Sequence, residues 1–320
     1  MYILGGSYNL LPRRIFAMQN IALESFEPPV QVPAGRNVFP VPNVRESDPI
    51  GSHDDPSLST RWMYLKAGAP VKITQEVLSS FRDKQAALEA EVRQDIAAGR
   101  EPGVRFMVFT SERPGIFSLG GDLKFFKEKI TSGDREGLKK YAKECIDMVY
   151  DTVTGFRLPV TTIALVRGTA QGGGFEGALA HNVLVAERQS QMGLPEIMFN
   201  LFPGMGAYQL LCRRLPPAKA EQLILSGKTY SAEELYDMGV VDILADEGKG
   251  EEAVRDYIRQ AHSKRNGRDA LRRVIREVDG LQYEDLVKSI DIWVDAAFTL
   301  TDSDLQTMDF LLRAQQRMGY

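Results

Sequence analysis

Residues 160–204 read VTTIALVRGTAQGGGFEGALAHNVLVAERQSQMGLPEIMFNLFPG, and this stretch carries the strongest structural signals of the chain. Its β-branched run at 160–166 is typical of a buried strand, and a triple glycine follows at 172–174. A helix is predicted to begin there, with Glu176 in its first turn. A second apolar strand leads to another glycine-containing turn, which carries Glu196. The stretch thus predicts two carboxylates, each beside a glycine-rich turn.

An upstream stretch, Phe117-Ser118-Leu119-Gly120-Gly121-Asp122-Leu123, repeats the pattern of strand, glycine turn and helix. Backbone N–H groups at the start of a helix have no partner within the helix, and glycine lets a substrate approach them closely. Two such donors directed at one oxygen stabilise an enolate or a tetrahedral oxyanion. We predict that the amides of Gly121 and Gly173 form such an oxyanion hole. Glu176 and Glu196 are predicted to act beside it as acid and base, so that the three turns meet in one active site.

Each of these features also has a purely structural interpretation. A glycine turn can serve close packing, Glu176 can interact with the helix dipole, and Glu196 can be a surface acid. Asp122 is predicted to be the N-cap of a helix, and His181 is predicted to be a packed or capping histidine. The occurrence of both glycine turns and both acids, in this order, favours the active-site interpretation.

Gly172, Gly174 and Gly177 fit the G-x-G-x-x-G spacing of dinucleotide-binding turns. Two observations argue against a dinucleotide site. The charge of Glu176 would lie where a pyrophosphate has to bind, at the N-terminus of the helix. The motif also lies in the middle of the chain, whereas the fingerprint normally belongs to an opening βαβ unit.

The composition is that of an ordinary globular protein, with 43% hydrophobic and 26% charged residues among 320. A net charge of −4 argues against a dedicated nucleic-acid-binding protein, which usually carries a basic surplus. Two cysteines fit a reducing compartment, and three scattered histidines show no metal-ligand spacing. No apolar run approaches the ~20 residues of a membrane helix, and the order of the N-terminal residues is not that of a signal peptide. We therefore expect a cytoplasmic protein without a metal site.

The chain is predicted to have three parts. Residues 1–57 form an N-terminal extension, with an edge strand at 20–26 and an irregular proline-rich loop at 28–56. Residues 58–248 alternate strand and helix signals, which indicates an α/β core. Residues 249–320 show helical patterns only and are expected to mediate oligomerisation.

Within the core, hydrophobic spacing and turn residues predict the individual elements. Strands are predicted at 61–66, 104–110, 160–166, 183–186 and 240–244. Helices are predicted at 73–96, 123–130 and 138–156. Ser231-Ala232-Glu233-Glu234 is predicted to be a capping box at the start of a short helix.

The motifs FSLGGDL at 117–123, GGGFE at 172–176 and GLPEI at 193–197 resemble those of the crotonase (enoyl-CoA hydratase/isomerase) superfamily. The resemblance implies a crotonase fold, in which repeated ββα units form a superhelical core. It assigns the oxyanion hole to Gly121 and Gly173, and the acid/base pair to Glu176 and Glu196, as above. Many members lack one of the two acids, so the presence of both implies hydration, dehydration or thioester hydrolysis. It also implies a homotrimer or a hexamer.

Three further segments, at 196–208, 292–295 and 307–315, resemble the diffusible signal factor synthase group of that superfamily. This resemblance implies an enzyme that dehydrates a 3-hydroxyacyl thioester and then hydrolyses the thioester, which releases a 2-unsaturated fatty acid. It implies no cofactor beyond the acyl carrier protein or coenzyme A that carries the substrate. The substrate-binding residues that it implies are Leu119, Gly120, Gln171, Gly172, Gly204, Met205 and Trp293.

Two features depart from that group. The segment at 28–56 has the character of an insertion. Gln171 stands where the group usually has an apolar residue, and an amide in the pocket wall costs free energy against an alkyl chain unless it finds a hydrogen-bond partner. The substrate is therefore expected to be shorter or more polar than the usual long acyl chain.

Two other functions are alternatives. One is a CoA-linked hydratase or acyl-CoA hydrolase of a biosynthetic pathway. The other is a crotonase scaffold without catalysis that binds a regulatory protein or RNA, although the presence of both acids and the acidic balance argue against it. An acidic carrier protein would need a basic surface, for which the candidates are Arg213-Arg214, Lys219 and Arg272-Arg273.

Overall fold

The structure, a computed structural model, describes residues 48–278 and 280–317, with side chains up to residue 313. The predicted edge strand at 20–26 and residues 28–47 of the predicted proline-rich loop lie outside these residues. The described residues belong to one compact unit. No helix among them is long and apolar enough to cross a membrane.

Ten strands form two sheets in this part of the chain. They are β1 (Ile50–Asp55), β2 (Thr60–Leu65), β3 (Phe106–Ser111), β4 (Gly115–Ser118), β5 (Thr161–Val166), β6 (Gly168–Gln171), β7 (Val183–Glu187), β8 (Gln191–Gly193), β9 (Thr229–Ser231) and β10 (Ile243–Ala245). The six-stranded sheet has the order β1-β2-β3-β5-β7-β10, and the four-stranded sheet has the order β4-β6-β8-β9. Neighbouring strands are parallel except in the pairs β1–β2 and β8–β9.

Eleven α-helices accompany these strands in the described chain. They are α1 (Gln75–Ala97), α2 (Leu123–Thr131), α3 (Arg135–Thr154), α4 (Gly173–Leu179), α5 (Ala207–Cys212), α6 (Pro217–Ser226), α7 (Ala232–Asp237), α8 (Gly250–Ser263), α9 (Arg265–Val278), α10 (Tyr283–Ala297) and α11 (Asp302–Arg317). The three helices predicted in the core are confirmed as α1, α2 and α3. Asp122 caps α2 by accepting the Lys124 N–H, as predicted. Ser231 and Glu234 form the predicted capping box of α7.

Successive strand pairs are divided between the two sheets. The first strands β3, β5 and β7 lie side by side in the larger sheet, and their followers β4, β6 and β8 lie side by side in the smaller one. Helices follow β4 and β6, so the predicted repetition of ββα units is confirmed. Because parallel neighbours in a sheet end at the same edge, the turns after β4, β6 and β8 come together.

Both faces of the larger sheet are buried. Ala164 and Val166 of β5 belong to the main core, which also contains residues of α1, α3 and α4. Ile163 and Leu165 point to the opposite face, because successive side chains of a strand alternate. A strand that is covered on both faces reads as a continuous apolar run, which explains why 160–166 was so clear in the sequence.

The prediction of an irregular loop is wrong for residues 50–55. They form β1, which pairs with β2 in antiparallel register over its whole length. The first two residues are buried, whereas the next three, Ser52 to Asp54, are exposed. An edge strand with an exposed polar half has no apolar alternation, so the sequence pattern did not reveal it. The predicted domain boundary between residues 57 and 58 therefore falls inside a hairpin of the core.

The core also extends beyond its predicted end at residue 248. Val254, Ile258 and Ala261 of α8 pack against β5 and β7 and cover the second face of the larger sheet. Helices α10 and α11 pack with α3 in a separate apolar cluster around Trp293. The boundary predicted at residue 248 is corrected accordingly, because it separates α8 from the sheet that it covers.

Leu88→Ala is expected to lower the free energy of unfolding by about 2–5 kcal/mol, because it leaves a cavity where a fully buried side chain of α1 packs. The matched control Leu225→Ala removes a side chain that is 56% exposed and should change that free energy by less than about 0.5 kcal/mol. Urea denaturation followed by circular dichroism measures both variants. Equal midpoints for the two would contradict the burial of this face of α1.

Candidate active site

The second glycine turn connects β6 to α4. Gly172 adopts φ 51° and ψ −127°, a conformation that residues with a side chain rarely take. A Cβ atom on Gly172 would lie 2.4 Å from Oε1 of Glu196. Glycine is therefore required at this position both for the turn and for the close approach of a carboxylate.

The first glycine turn packs on the second, backbone against backbone. Gly120 has a φ of 86°, and a Cβ atom there would lie 2.6 Å from the Gln171 carbonyl oxygen and 2.9 Å from the Gly173 nitrogen. A Cβ atom on Gly173 would in turn lie 3.4 Å from the Gly121 nitrogen. The two predicted oxyanion donors are therefore neighbours, and the missing side chain of Gly120 is what lets the turns touch.

The N–H groups of Gly121 and Gly173 are available to a ligand. Both residues line the same cavity, and neither N–H group has an acceptor within the part of the chain that the structure describes. Folded proteins rarely leave backbone donors without a partner unless water or a ligand supplies it. The pair therefore suits a site that holds one oxygen of a ligand through two hydrogen bonds.

Glu176 lies in the first turn of α4 and is only 1% exposed. Its Oε1 accepts hydrogen bonds from the N–H groups of Met205, at 2.7 Å, and Ala207, at 3.0 Å. Burial raises the pKa of this carboxyl well above its usual 4.5, the neighbouring charge of Glu196 adds to the rise, and the two backbone hydrogen bonds oppose it. The environment of Glu176 therefore favours its protonated form more than that of an exposed glutamate.

Glu196 lies in the short 3-10 turn Pro195–Phe199 that follows β8. Its Oε2 is inaccessible to solvent and has no hydrogen-bond partner among the described residues. Burial raises the pKa of Glu196 to about 7. At neutral pH both of its protonation states are therefore well populated, which suits a group that takes up and returns a proton.

The two glutamates and the two glycine turns border one cavity of about 300 Å³. Phe126 of α2, Tyr141 of α3 and Trp293 of α10 supply aromatic parts of its wall. Leu311 of α11 lines it as well, so segments distant in the sequence close around the turns. The predicted meeting of the three turns at one site is what the structure shows.

Most of the predicted substrate-binding residues lie at this cavity. Those that line it are Leu119, Gln171, Gly172, Gly204, Met205 and Trp293. Gly120 does not line it and forms the backbone contact between the turns instead.

His181 lies outside the cavity, with its Nδ1 2.8 Å from the Gly177 carbonyl oxygen, and burial lowers the pKa of His181 to about 4. That environment agrees with the predicted packed histidine.

Gln171 has the hydrogen-bond partner that an amide in a pocket wall requires. Its Nε2 donates to Oγ1 of Thr229 in β9, at 3.1 Å. Trp293 is satisfied in the same way, since its Nε1 donates to the Phe202 carbonyl oxygen at 3.0 Å. The desolvation cost expected for Gln171 is thus largely offset, and the cavity combines a polar wall with an aromatic one.

Sequence reasoning missed several residues that line the cavity. They include Leu123, Phe126, Tyr141, Ala142, Cys145, Thr169, Met198, Thr229 and Leu311. Tyr141 and Cys145 lie one turn apart on α3, a spacing that core residues share, so the pattern alone does not mark them as ligand contacts. The Tyr141 hydroxyl donates to the Ile73 carbonyl oxygen at 2.5 Å, which holds the ring in place.

Comparison with known proteins gives one family match and many related structures. Residues 81–291 match the enoyl-CoA hydratase/isomerase family model. The alpha subunit of the fatty acid oxidation complex of Vibrio campbellii is 33% identical over 161 residues, which are 49% of this chain and 22% of that protein. Methylglutaconyl-CoA hydratase of Rattus norvegicus is 35% identical over 153 residues, which are 48% of this chain and 46% of that protein. The matched region thus spans less than half the length of each of these curated relatives.

Solved structures agree with the fold. An enoyl-CoA hydratase from Bacillus halodurans has a TM-score of 0.67 and 19% identity, over 82% of this chain and 99% of that one. Pseudomonas aeruginosa DspI has a TM-score of 0.60 and 22% identity, over 79% of this chain and 97% of that one. At these identities the likeness concerns the fold alone.

Glu196→Gln is expected to stabilise the protein at neutral and alkaline pH. In the wild type this carboxyl has a pKa of about 7 when folded against 4.5 ordinarily, so the folded state binds the proton more tightly. The free energy of unfolding of the wild type therefore falls, relative to that of the variant, as pH rises from 4.5 to about 7. Above this range the variant is expected to be more stable by roughly 3 kcal/mol, and in acid the difference vanishes. Urea denaturation between acidic and alkaline pH measures this. Parallel stability curves for the two proteins would contradict the burial of Glu196.

Proposed function

The chain belongs to the enoyl-CoA hydratase/isomerase family, and from this premise we propose that it removes water from, or adds water to, the C2–C3 bond of an acyl thioester. The observation that carries the proposal is the pairing of buried Glu176 with half-buried Glu196, whose Oε2 is inaccessible, beside two N–H donors that have no acceptor among the described residues. Moving water across this bond requires an acid, a base and a site for the charge on the thioester oxygen. The cavity offers all three.

In the proposed reaction the thioester carbonyl oxygen accepts hydrogen bonds from the N–H groups of Gly121 and Gly173. Removal of the α-proton transfers negative charge to that oxygen, and the two donors stabilise the resulting enolate. Loss of one such donor typically lowers kcat about 10²- to 10³-fold in other enzymes. The contact of Gly120 with the second turn keeps the donors close enough to share one oxygen.

The two pKa directions support one assignment of the proton transfers, which we propose. Glu196, which titrates near neutral pH, removes the α-proton. Glu176 keeps its proton and gives it to the departing 3-hydroxyl group, which leaves as water. The α C–H and C3–O bonds break, and the C2=C3 double bond forms. Hydration is the reverse, with Glu176 taking a proton from water and Glu196 returning one to the α-carbon.

The proposal extends to release of the 2-unsaturated product as a free acid. Dehydration leaves Glu176 ionised and Glu196 protonated, which is the state that hydrolysis needs. Glu176 then deprotonates a water that adds to the thioester carbonyl, and Glu196 protonates the leaving thiolate as the C–S bond breaks, which gives the free thiol and the acid. The resemblance of 196–208, 292–295 and 307–315 to the diffusible signal factor synthase group supports this extension. The hydratases among the relatives support a reaction that stops at the thioester.

The proposed carrier is coenzyme A or acyl carrier protein, and a homotrimer or hexamer is proposed from the family relationship. Arg214 is a poor docking residue for an acidic carrier, because it forms an ion pair with Asp242 at 2.8 Å and donates to two backbone carbonyls. Lys219 and Arg273 are exposed, and neither forms an ion pair with a described carboxylate. They are the better candidates for contact with a carrier.

A scaffold that only binds a regulatory protein is the competing class of function. Carboxylates removed from water destabilise a fold, since ionising them inside the protein costs free energy. A scaffold would gain from replacing Glu176 and Glu196 with apolar residues. Their presence beside N–H donors that have no acceptor in the described part of the chain therefore favours catalysis.

The function is tested by incubating the protein with 3-hydroxyacyl and 2-enoyl thioesters, each on coenzyme A and on acyl carrier protein. Mass spectrometry is expected to show the two thioesters interconverting by gain or loss of one water. Free 2-unsaturated acid in the same reactions would support the hydrolytic extension, and its absence would contradict that extension alone. A folded protein that converts none of these thioesters at any chain length would contradict the proposed function.

Glu176→Gln and Glu196→Gln are each expected to lower kcat by about 10²- to 10⁴-fold, because each removes one of the two proton-transfer groups. The matched control Glu233→Gln changes an exposed glutamate of α7 and should leave kcat unchanged. Thermal unfolding confirms that all three variants are folded. Near-wild-type turnover in either cavity variant would contradict the two-acid mechanism.

A further inference from the structure

An unusual turn precedes β5, on the chain between α3 and that strand. Gly155, Phe156 and Arg157 have φ angles of 57°, 59° and 56°, so three consecutive residues are left-handed. Residues with a Cβ atom rarely take this conformation even singly, and runs of them are rarer still. Phe156 is 3% exposed and anchors the turn in the core. Local backbone strain of this kind points to a functional position when neighbouring groups support it.

The groups beside this turn are arginines. A cavity of about 300 Å³ lies between residues 157–161 and one side of α9. Its charged lining residues are Arg157, Asp269, Arg272, Arg273 and Arg276, and we call this space the arginine cavity. It shares no lining residue with the catalytic cavity. It adjoins Thr161, where β5 begins, whereas the catalytic glycine turn follows the carboxyl end of β6.

The carboxylate among the described lining residues of the arginine cavity, Asp269, already has an ion-pair partner outside the cavity. Asp269 forms an ion pair with Arg105, whose side chain is 9% exposed. None of the four cavity arginines forms an ion pair with a carboxylate in the described chain. The charges of Asp151 and Glu284 favour the charged form of Arg157.

Neutral groups hold three of the four guanidinium groups in place. Arg276 donates to the carbonyl oxygens of Leu158, at 2.9 Å, and Thr154, at 3.4 Å. Arg272 donates to a carbonyl oxygen at 3.4 Å, and Arg157 donates to the Tyr150 hydroxyl at 2.6 Å. These bonds fix the positions of the cations without neutralising them.

Positive charge therefore accumulates in the arginine cavity. Burial lowers the pKa of Arg276 from its usual value, the neighbouring charges of Arg273 and Arg272 lower it further, and the charges of Glu277 and Asp269 oppose the shift. Arg273 is exposed and has no hydrogen-bond or ion-pair partner among residues 48–278 and 280–317. Several cations held together around one carboxylate that Arg105 already shares are costly unless an anion joins them.

We propose that the arginine cavity binds the phosphate group of a small molecule. Guanidinium groups offer paired N–H donors that match phosphate oxygens, and such charge-assisted bonds are stronger than neutral ones. The fixed positions of Arg157, Arg272 and Arg276 provide a preorganised site, and Arg273 remains free to close on the anion. The bound phosphate would connect α9 to the strained turn before β5, so its binding stabilises the folded chain.

The experiment titrates the full chain with inorganic phosphate, pyrophosphate and ADP in a phosphate-free buffer of low ionic strength. Isothermal titration calorimetry is expected to show one site per chain for at least one probe, together with a rise in the thermal unfolding temperature. Raising the salt concentration should weaken binding, because it screens the arginine charges. If ADP binds more tightly than pyrophosphate, the ligand of the cavity is a nucleotide. If the two bind equally, the cavity recognises the phosphate group alone.

Arg273→Gln and Arg272→Gln should each weaken this binding about tenfold or more, since each removes a charged donor. Arg273→Gln is the cleaner test, because its side chain holds no other group in place. The matched control is Arg268→Gln, on the same helix, where the guanidinium stacks on the Tyr257 ring outside the cavity. This control should bind as the wild type does. Failure of all three probes to bind the folded wild type, or unchanged binding in Arg273→Gln and Arg272→Gln, would overturn the proposal.

Discussion

The contact between the two glycine turns is the constraint on which the candidate site depends. Each residue of the triple glycine is limited by a different neighbour. A Cβ atom at Gly172 would meet Glu196, one at Gly173 would lie 2.8 Å from the Met205 sulfur, and one at Gly174 would lie 2.4 Å from the Ser118 carbonyl oxygen. Three separate close approaches thus explain three successive glycines. Together they place a carboxylate, two N–H donors and the start of a helix within one small volume.

The site keeps its reactivity at a cost in stability. Two carboxylates share one buried region, and desolvation favours the neutral form of both. Two backbone N–H groups partly compensate Glu176, whereas the Oε2 atom of Glu196 lacks such a partner among the described residues. Burial and the charge of Glu196 outweigh these two bonds, so the pKa of Glu176 is still raised well above 4.5. Elsewhere in the wall the Gln171 amide is satisfied by Thr229, so polarity there does not add to the cost.

The sequence predicted the parts of the structure that are set by local rules. The buried run at 160–166 showed β5 because both faces of that strand are covered, and Asp122 and Ser231 marked helix starts because their side chains cap them. The site was predictable because its donors and acids come from turns with distinctive residues. β1 was missed because an exposed edge strand lacks apolar alternation. The contribution of Tyr141 and Leu311 was missed because a side chain that borders a ligand cavity has the same periodicity as one in the core.

The division of the cavity wall between two kinds of segment has an evolutionary consequence. The proposed reacting groups belong to the strand–turn–helix units, whereas Trp293 and Leu311 belong to α10 and α11, which pack in their own apolar cluster. A substitution in these helices can therefore reshape the proposed acyl-binding space without moving the N–H groups of Gly121 and Gly173. Selectivity and catalysis are in this sense separately adjustable. A fold built in this way can acquire new substrates by gradual change in its helices while its chemistry is conserved.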